Sequence, residues 1–185
     1  MITRFLPAPA IALLVAGCSG GSAAGDAAGA DALPPPLRSA TAMLYAADGS
    51  PRGEVTVTDT DGAIKVAVAA RGLPPGAHGM HIHAVGRCDA PDFATAGGHW
   101  NPTAQQHGRN NPAGKHRGDL PNLVAGADGS ASLEAEVEGA GLTGSDGLLD
   151  ADGAAFVIHA TADDYVTDPS GNSGARIACG VFAAG

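Results

Sequence analysis

Seven histidines stand at positions 78, 81, 83, 99, 107, 116 and 159 of a chain of 185 residues. Imidazole binds borderline metal ions through either ring nitrogen, so metal chemistry is the first to consider. His81 and His83 are two apart in a stretch that reads as a strand, and their rings therefore leave the same face, a chelating arrangement. His99, His107, His116 and Asp119 follow in one long polar stretch. Three imidazoles and a carboxylate suit tetrahedral Zn²⁺, and a site of four imidazoles also suits Cu²⁺. One ring has two nitrogens, so a single histidine can in principle serve two ions. Any one of these histidines taken alone is an ordinary surface or core residue; six of the seven at chelating spacings around one loop are not. His78 is the exception and is assigned a structural hydrogen bond.

The elements that must hold these residues read as short strands. Thr41–Ala47, Gly53–Asp59 and Ile64–Ala70 are rich in β-branched and apolar residues, with turn signals at Asp48-Gly49-Ser50 and Asp61-Gly62. Ile64, Val66, Val68 and Ala70 alternate with Lys65, Ala67 and Ala69. Ala131, Leu133, Ala135 and Val137 alternate with Ser132, Glu134, Glu136 and Glu138. With Asn122–Ala125, Ala154–Ala160 and Ala175–Ala183, the count is about eight strands and no amphipathic helix, which predicts an all-β sandwich or barrel. Residues 85–118 break the rhythm as a long, polar, unpatterned loop, and bound metal would supply the order its sequence cannot.

Composition narrows the function. Lys and Arg total 10 against 19 Asp and Glu, a formal charge of −9, so a nucleic-acid partner is not expected. No apolar run reaches 18 residues, the length a membrane-spanning helix needs. Residues 1–17 read as a secretion signal, with Arg4 before a short apolar core. They end Val15-Ala16-Gly17-Cys18, like a bacterial lipobox, which predicts lipid on Cys18. Residues 19–37 are nearly all Gly, Ala, Ser, Asp and Pro, and 18–38 are expected to be a lipidated cysteine and a flexible leash with a reach on the order of 25 Å. The folded domain is then 39–185.

At the histidines the sequence resembles a known family. Gly76-Ala77-His78-Gly79-Met80-His81-Ile82-His83 looks like the first signature of the Cu,Zn superoxide dismutases. Gly98-His99-Trp100-Asn101-Pro102, His107-Gly108 and His116-Arg117-Gly118-Asp119-Leu120 follow that family's metal-loop order, and Gly171-Asn172-Ser173-Gly174-Ala175-Arg176-Ile177-Ala178-Cys179-Gly180 resembles its second signature. The resemblance implies an eight-stranded Greek-key β-barrel with long metal-binding loops. It implies one copper per subunit on His81, His83, His99 and His159, and one zinc on His99, His107, His116 and Asp119, with the ring of His99 shared. It gives Asp163 the role of hydrogen-bonding His81 and His107, and it pairs Cys88 with Cys179. The three cysteines agree with that pairing if Cys18 carries lipid.

The implied activity is dismutation of superoxide to dioxygen and hydrogen peroxide, with copper alternating between two charges and His99 taking up and giving back a proton. Arg176 matches the family's channel arginine, and it is needed: superoxide is an anion, and losing Arg4 with the signal takes the charge from −9 to −10. The stretch between His159 and Arg176 is shorter than in eukaryotic relatives. It holds Asp163, Asp164 and Asp168 but no base, so Arg87, Arg109, Lys115 and Arg117 are further candidates for steering. Cys88 lies five residues after His83, close to the bacterial pattern, which supports a bacterial exported protein; with the lipobox at Cys18, the expected location is the periplasm or cell envelope, tethered to a membrane. The resemblance leaves monomer and homodimer open. The rival class is a copper- or zinc-binding lipoprotein without turnover.

Overall fold

The computed structural model describes residues 1–2, 38–60 and 62–185. The expected secretion signal, lipidated Cys18 and leash therefore lie almost wholly outside the described residues. All strands and the histidine cluster belong to the unit Pro35–Gly185.

Among the described residues ten strands are formed: β1 Ser39–Tyr45, β2 Pro51–Asp59, β3 Ala63–Ala70, β4 Gly76–His78, β5 Met80–His83, β6 Leu123–Ala125, β7 Ala131–Glu138, β8 Ala155–His159, β9 Arg176–Val181 and β10 Ala183–Ala184. Apart from one 3₁₀ turn, Ala94–Ala96, no helix occurs among the described residues. Eight strands make one antiparallel sheet in the order β5-β8-β9-β1-β2-β3-β7, with β10 added on β1, and it curls into a half-barrel. β4 and β6 form a separate pair. Consecutive hairpin strands β1-β2-β3 sit mid-sheet, while the chain crosses over from β3 to β5 and from β7 to β8, the Greek-key habit.

Alternation builds the core as expected. Ala40, Ala42 and Leu44 of β1, Val55 and Val57 of β2, and Ile64, Val66, Val68 and Ala70 of β3 are buried on one face. Lys65, Glu134 and Glu136 occupy the exposed positions between inward residues. β8 differs, because all five of its residues are buried. Phe156 and Ile158 join the main core, while Ala155 and Val157 pack with Phe93, Ala96 and Cys179 in a second cluster. The loop over that second face is fastened by a Cys88–Cys179 disulfide.

The signature segment is two strands, not one. β4 pairs with β6, but β5 pairs with β8, so the chain changes partners at Gly79. There the Gly79 N–H donates to Thr161 O (2.8 Å) and its carbonyl accepts from His159 N–H (2.8 Å). A Cβ at this position would stand 2.6 Å from Ser173 Oγ, so the crossing needs glycine.

Candidate metal centre

β5 is the edge of the large sheet, and its alternation divides the labour: Met80 and Ile82 point into the core, so His81 and His83 point out. The edge is not left open. Trp100 N–H donates to Ile82 O (2.8 Å), Ile82 N–H to Gly118 O (3.0 Å), and Gly118 N–H to Trp100 O (2.8 Å). Two short bridges follow, His83 with His99 and His81 with Asp119. The long polar loop is thus threaded along the strand that carries the first two histidines. On the other side of β5, His159 of β8 continues the outward face begun by Ala155 and Val157.

Among the described residues four ring nitrogens are buried without a hydrogen-bond partner: His81 Nδ1, His83 Nε2, His99 Nε2 and His159 Nε2. These four residues present donor atoms that lie within 4.8 Å of one another. An unpaired buried nitrogen costs on the order of 1–3 kcal/mol, so four gathered at one point call for a shared cation. The opposite nitrogens are each held. His83 Nδ1 meets Gly97 O at 2.9 Å, His159 Nδ1 meets Gly174 O at 3.2 Å, and His81 Nε2 meets Asp163 Oδ2 at 2.7 Å. Since those partners are acceptors, the protons sit on the held nitrogens and the lone pairs face inward.

A second donor set adjoins the first. Asp119 Oδ1 has His99 Nδ1 at 2.9 Å, His107 Nδ1 at 3.0 Å and His116 Nδ1 at 3.3 Å, and the Nδ1 atoms of His99 and His116 are 3.3 Å apart. Donors about 2.0–2.1 Å from a tetrahedral Zn²⁺ stand roughly 3.3–3.4 Å from one another. Asp119 Oδ2 is fixed by the N–H groups of Gly108 (2.9 Å) and His116 (3.0 Å). His81 also has an atom within 4.8 Å of His99, His107 and Asp119, but its Nε2 is taken by Asp163 and its unpaired nitrogen belongs to the first set. Both donor sets fit the metals the family implies: a nitrogen-rich one for copper and an N₃O one for zinc.

Electrostatics separate the two sets. Burial lowers His83 well below its ordinary value and His159 to about 3; burial also lowers His99 to about 4, against the pull of Asp119. His81 is lowered by burial too, partly offset by Asp163. These rings are neutral donors at neutral pH. His107 is the opposite: burial would depress it, but Asp119 and Asp163, one at each ring nitrogen, raise it to about 9. Burial would raise both carboxylates, yet their histidine hydrogen bonds hold them far below the usual range.

The structure brings all seven expected ligands together. Asp163 spans the sets, with Oδ2 on His81 and Oδ1 on His107 Nε2 at 3.0 Å. Arg176, partly buried, donates to Phe93 O (2.6 Å) and Gly97 O (2.7 Å). His78 sits apart, its nitrogens against His159 O and Pro74 O, both at 2.8 Å. The other bases lie elsewhere: Arg87 pairs with Asp89, while Arg109, Lys115 and Arg117 line a concavity of about 570 Å³ beside His116, facing Glu136 and Glu138. The sequence reading missed the acceptors Gly97 O and Gly174 O, Asn122, and Asp168, whose Oδ1 accepts from His107 N–H at 2.6 Å. Main-chain carbonyls leave no mark in a sequence, and Asp168 registered only as a loop acid.

Comparison with known proteins agrees with this geometry. Residues 51–182 match the family model described as copper/zinc superoxide dismutase (SODC). The chain is 45% identical over 150 residues to Superoxide dismutase [Cu-Zn] of Caulobacter vibrioides, covering 78% of this chain and 85% of that one. It is 49% identical over 132 residues to Superoxide dismutase-like protein YojM of Bacillus subtilis, covering 70% and 67%. The crystal structure of a SOD-like protein from Bacillus subtilis superposes with a TM-score of 0.73 at 43% identity, covering 77% of this chain and 97% of that one. With fold, donor atoms and sequence in agreement, the chain belongs to the copper/zinc superoxide dismutase family.

Proposed function

We propose that the protein dismutates superoxide, 2 O₂•⁻ + 2 H⁺ → O₂ + H₂O₂, at a pair of metal sites joined by His99. Copper would be held by His81, His83, His99 and His159, and zinc by His99, His107, His116 and Asp119. The observation that carries this reading is the position of one ring: His99 Nδ1 lies in the N₃O set and His99 Nε2 among the four unpaired nitrogens. Bound copper supplies one-electron acceptance and donation, and zinc a fixed charge without redox change.

The chain's own groups do the rest. His99 would take up one proton at Nε2 and yield it to product, the second proton coming from water, while bound copper would supply the compensating one-unit change of charge. Gly97 O and Gly174 O keep the rings of His83 and His159 aimed inward. Arg176 offers a cation, always charged, to an anionic substrate reaching an acidic protein.

The disulfide and the bacterial relatives support an exported protein. Within that, we read the chain as a periplasmic or cell-envelope lipoprotein tethered through Cys18, and labelled fatty acid should enter the wild type but not Cys18→Ser. The second reading, a copper- or zinc-binding lipoprotein without turnover, is favoured by the likeness to a protein named only superoxide dismutase-like. Elemental analysis beside a dismutation assay decides: one copper and one zinc per chain with turnover supports the enzyme, and full copper without turnover supports the alternative.

A further inference from the structure

Asp163 is what orients a ring of each metal set, yet it lies in the loop between β8 and β9, outside any strand that could fix its backbone. Its peptide groups are held by a side chain instead. Asp163 N–H donates to Asn122 Oδ1 (2.8 Å), and Asn122 Nδ2 donates to Asp163 O (2.9 Å). One amide thus replaces a neighbouring strand, which asparagine can do because it offers a donor and an acceptor side by side. Asn122 is anchored in turn: its N–H donates to Tyr165 Oη (2.7 Å), and Tyr165 N–H donates to Asp163 Oδ1 (2.7 Å). The ring of bonds is closed. Tyr165 sits at φ 66°, a left-handed conformation unusual for an aromatic residue, and three of its polar groups are engaged, the third being its carbonyl with Asn110 N–H at 3.0 Å. Asn122 is also three residues after Asp119, so the same amide ties the loop of the N₃O set to the loop of the bridging carboxylate.

We propose that Asn122 is a positioning residue for both metal sites at once. It sets Asp163 so that its two carboxylate oxygens accept hydrogen bonds from Nε2–H of His81 and of His107, which leaves the Nδ1 atom of one ring to copper and of the other to zinc. Alanine keeps neither bond to Asp163. The inference rests on the metal-site assignment above.

The test is a double-variant cycle on the full chain, read by chelator competition for Cu²⁺ and Zn²⁺. Loss of a partner outside the ligand shell weakens metal binding by about 10–100-fold. Asn122→Ala, acting through Asp163, should weaken both ions by about tenfold, and should cost nothing further in an Asp163→Asn background. Tyr165→Phe, run in the same cycle, removes a single bond to Asn122. It should weaken both ions by about threefold, the worth of one ordinary hydrogen bond, and it decides the matter should Asn122→Ala fail to fold. Wild-type affinity in both variants, or losses that add to that of Asp163→Asn, overturn the positioning role. A wild type that takes up neither ion overturns the metal assignment as well.

Discussion

His83 and Arg176 share one acceptor: the carbonyl oxygen of Gly97 receives Nδ1–H of the former at 2.9 Å and a guanidinium N–H of the latter at 2.7 Å. The residue expected to attract the substrate is therefore fastened to the same peptide that aims a copper-set ring. Phe93 O takes the other arm of the guanidinium at 2.6 Å, so two carbonyls fix the charge in place.

Arg176→Ala is expected to lower the dismutation rate by about tenfold, at the low end of what focused charge contributes to association, and to flatten its dependence on ionic strength. Arg176→Lys keeps a charge but cannot reach both carbonyls as a planar fork. It should retain the salt slope at a reduced rate. Rate measured against salt concentration checks both, and an unchanged slope in Arg176→Ala would show that the anion is guided by other groups.

Metal uptake should release protons in a definite order. His107, raised to about 9, carries a proton on both nitrogens at pH 7, facing Asp119 and Asp163. Zinc needs the Nδ1 lone pair, so its binding expels that proton; zinc affinity rises with pH and this release fades as the pH passes about 9. The rings of the copper set are already neutral, and copper alone should release almost none through His81, His83 and His159. Copper added to zinc-loaded protein should release about one further proton, the last one on His99. Calorimetry in two buffers of different ionisation enthalpy counts them. No release in that final step would mean that His99 does not serve both ions.

The metal-free protein should be most stable near neutrality. His99 and His159 titrate near 4 and 3 when folded but near 6.5 when unfolded, so the unfolded chain takes up protons first as the solution is acidified. Their stabilisation is full above pH 6.5 and is lost on descent through about 4 and then 3; Asp119 and Asp163 add to that loss below about 3.8. His107 has the opposite sign: its contribution is full below 6.5 and is lost as the pH rises through about 9. Thermal midpoints of apo protein against pH should fall on both sides, and more steeply on the acid side, whereas the metal-loaded protein should hold a flatter profile. A flat apo profile from pH 4 to 7 would contradict the neutral, buried copper-set rings.

What the sequence disclosed, and what it hid, follows from how each feature is encoded. Strand alternation in Ile64–Ala70 and Ala131–Val137 maps directly onto buried and exposed faces, because the barrel buries only one side of those strands. The candidate ligands were legible because imidazole and carboxylate are scarce, chemically specific side chains. The run 76–83 concealed its break, since three-residue strands such as Gly76–His78 carry no period and the change of partner rests on one glycine. The stretch 175–183 hid another: Phe182 turns into the core between β9 and β10, with its N–H on Ala154 O at 3.1 Å. The loop 85–118 looked structureless because part of its order comes from backbone bonds to β5 and from carbonyl acceptors, neither of which depends on side-chain type. The rest comes from scattered side-chain bonds such as Asn111 Nδ2 to His107 O and Gly108 N–H to Asp119 Oδ2, which have no period.

Cutting the disulfide should loosen more than the chain entropy. Cys88–Cys179 closes a separation of 91 residues, for which the chain-entropy relation gives about 4.6 kcal/mol. Cys88 also begins the loop that carries Phe93 O and Gly97 O, the two anchors of Arg176. Cys88→Ser should therefore lower stability by several kcal/mol in denaturant titration, and should lower activity at a temperature where the variant is still folded. Activity equal to wild type in the folded variant would mean that the Arg176 contacts alone hold the loop.

Gly118→Ala tests how the second donor set is hung on the sheet. A Cβ at Gly118 would lie 2.2 Å from Ile82 O and 3.1 Å from Trp100 N, both main-chain atoms that cannot swing aside. The edge of β5 and the segment bearing Asp119 must then separate, and the bridge between His81 and Asp119 goes with them. Asp119 Oδ1 is the atom on which three imidazole nitrogens converge, while the four nitrogens of the copper set depend on β5 and β8 and on the ring of His99. Zinc binding should consequently weaken by at least about tenfold, with a smaller loss for copper confined to what His99 transmits. Competition titration of the two ions separates these effects, and equal losses for both would place the damage in β5 itself.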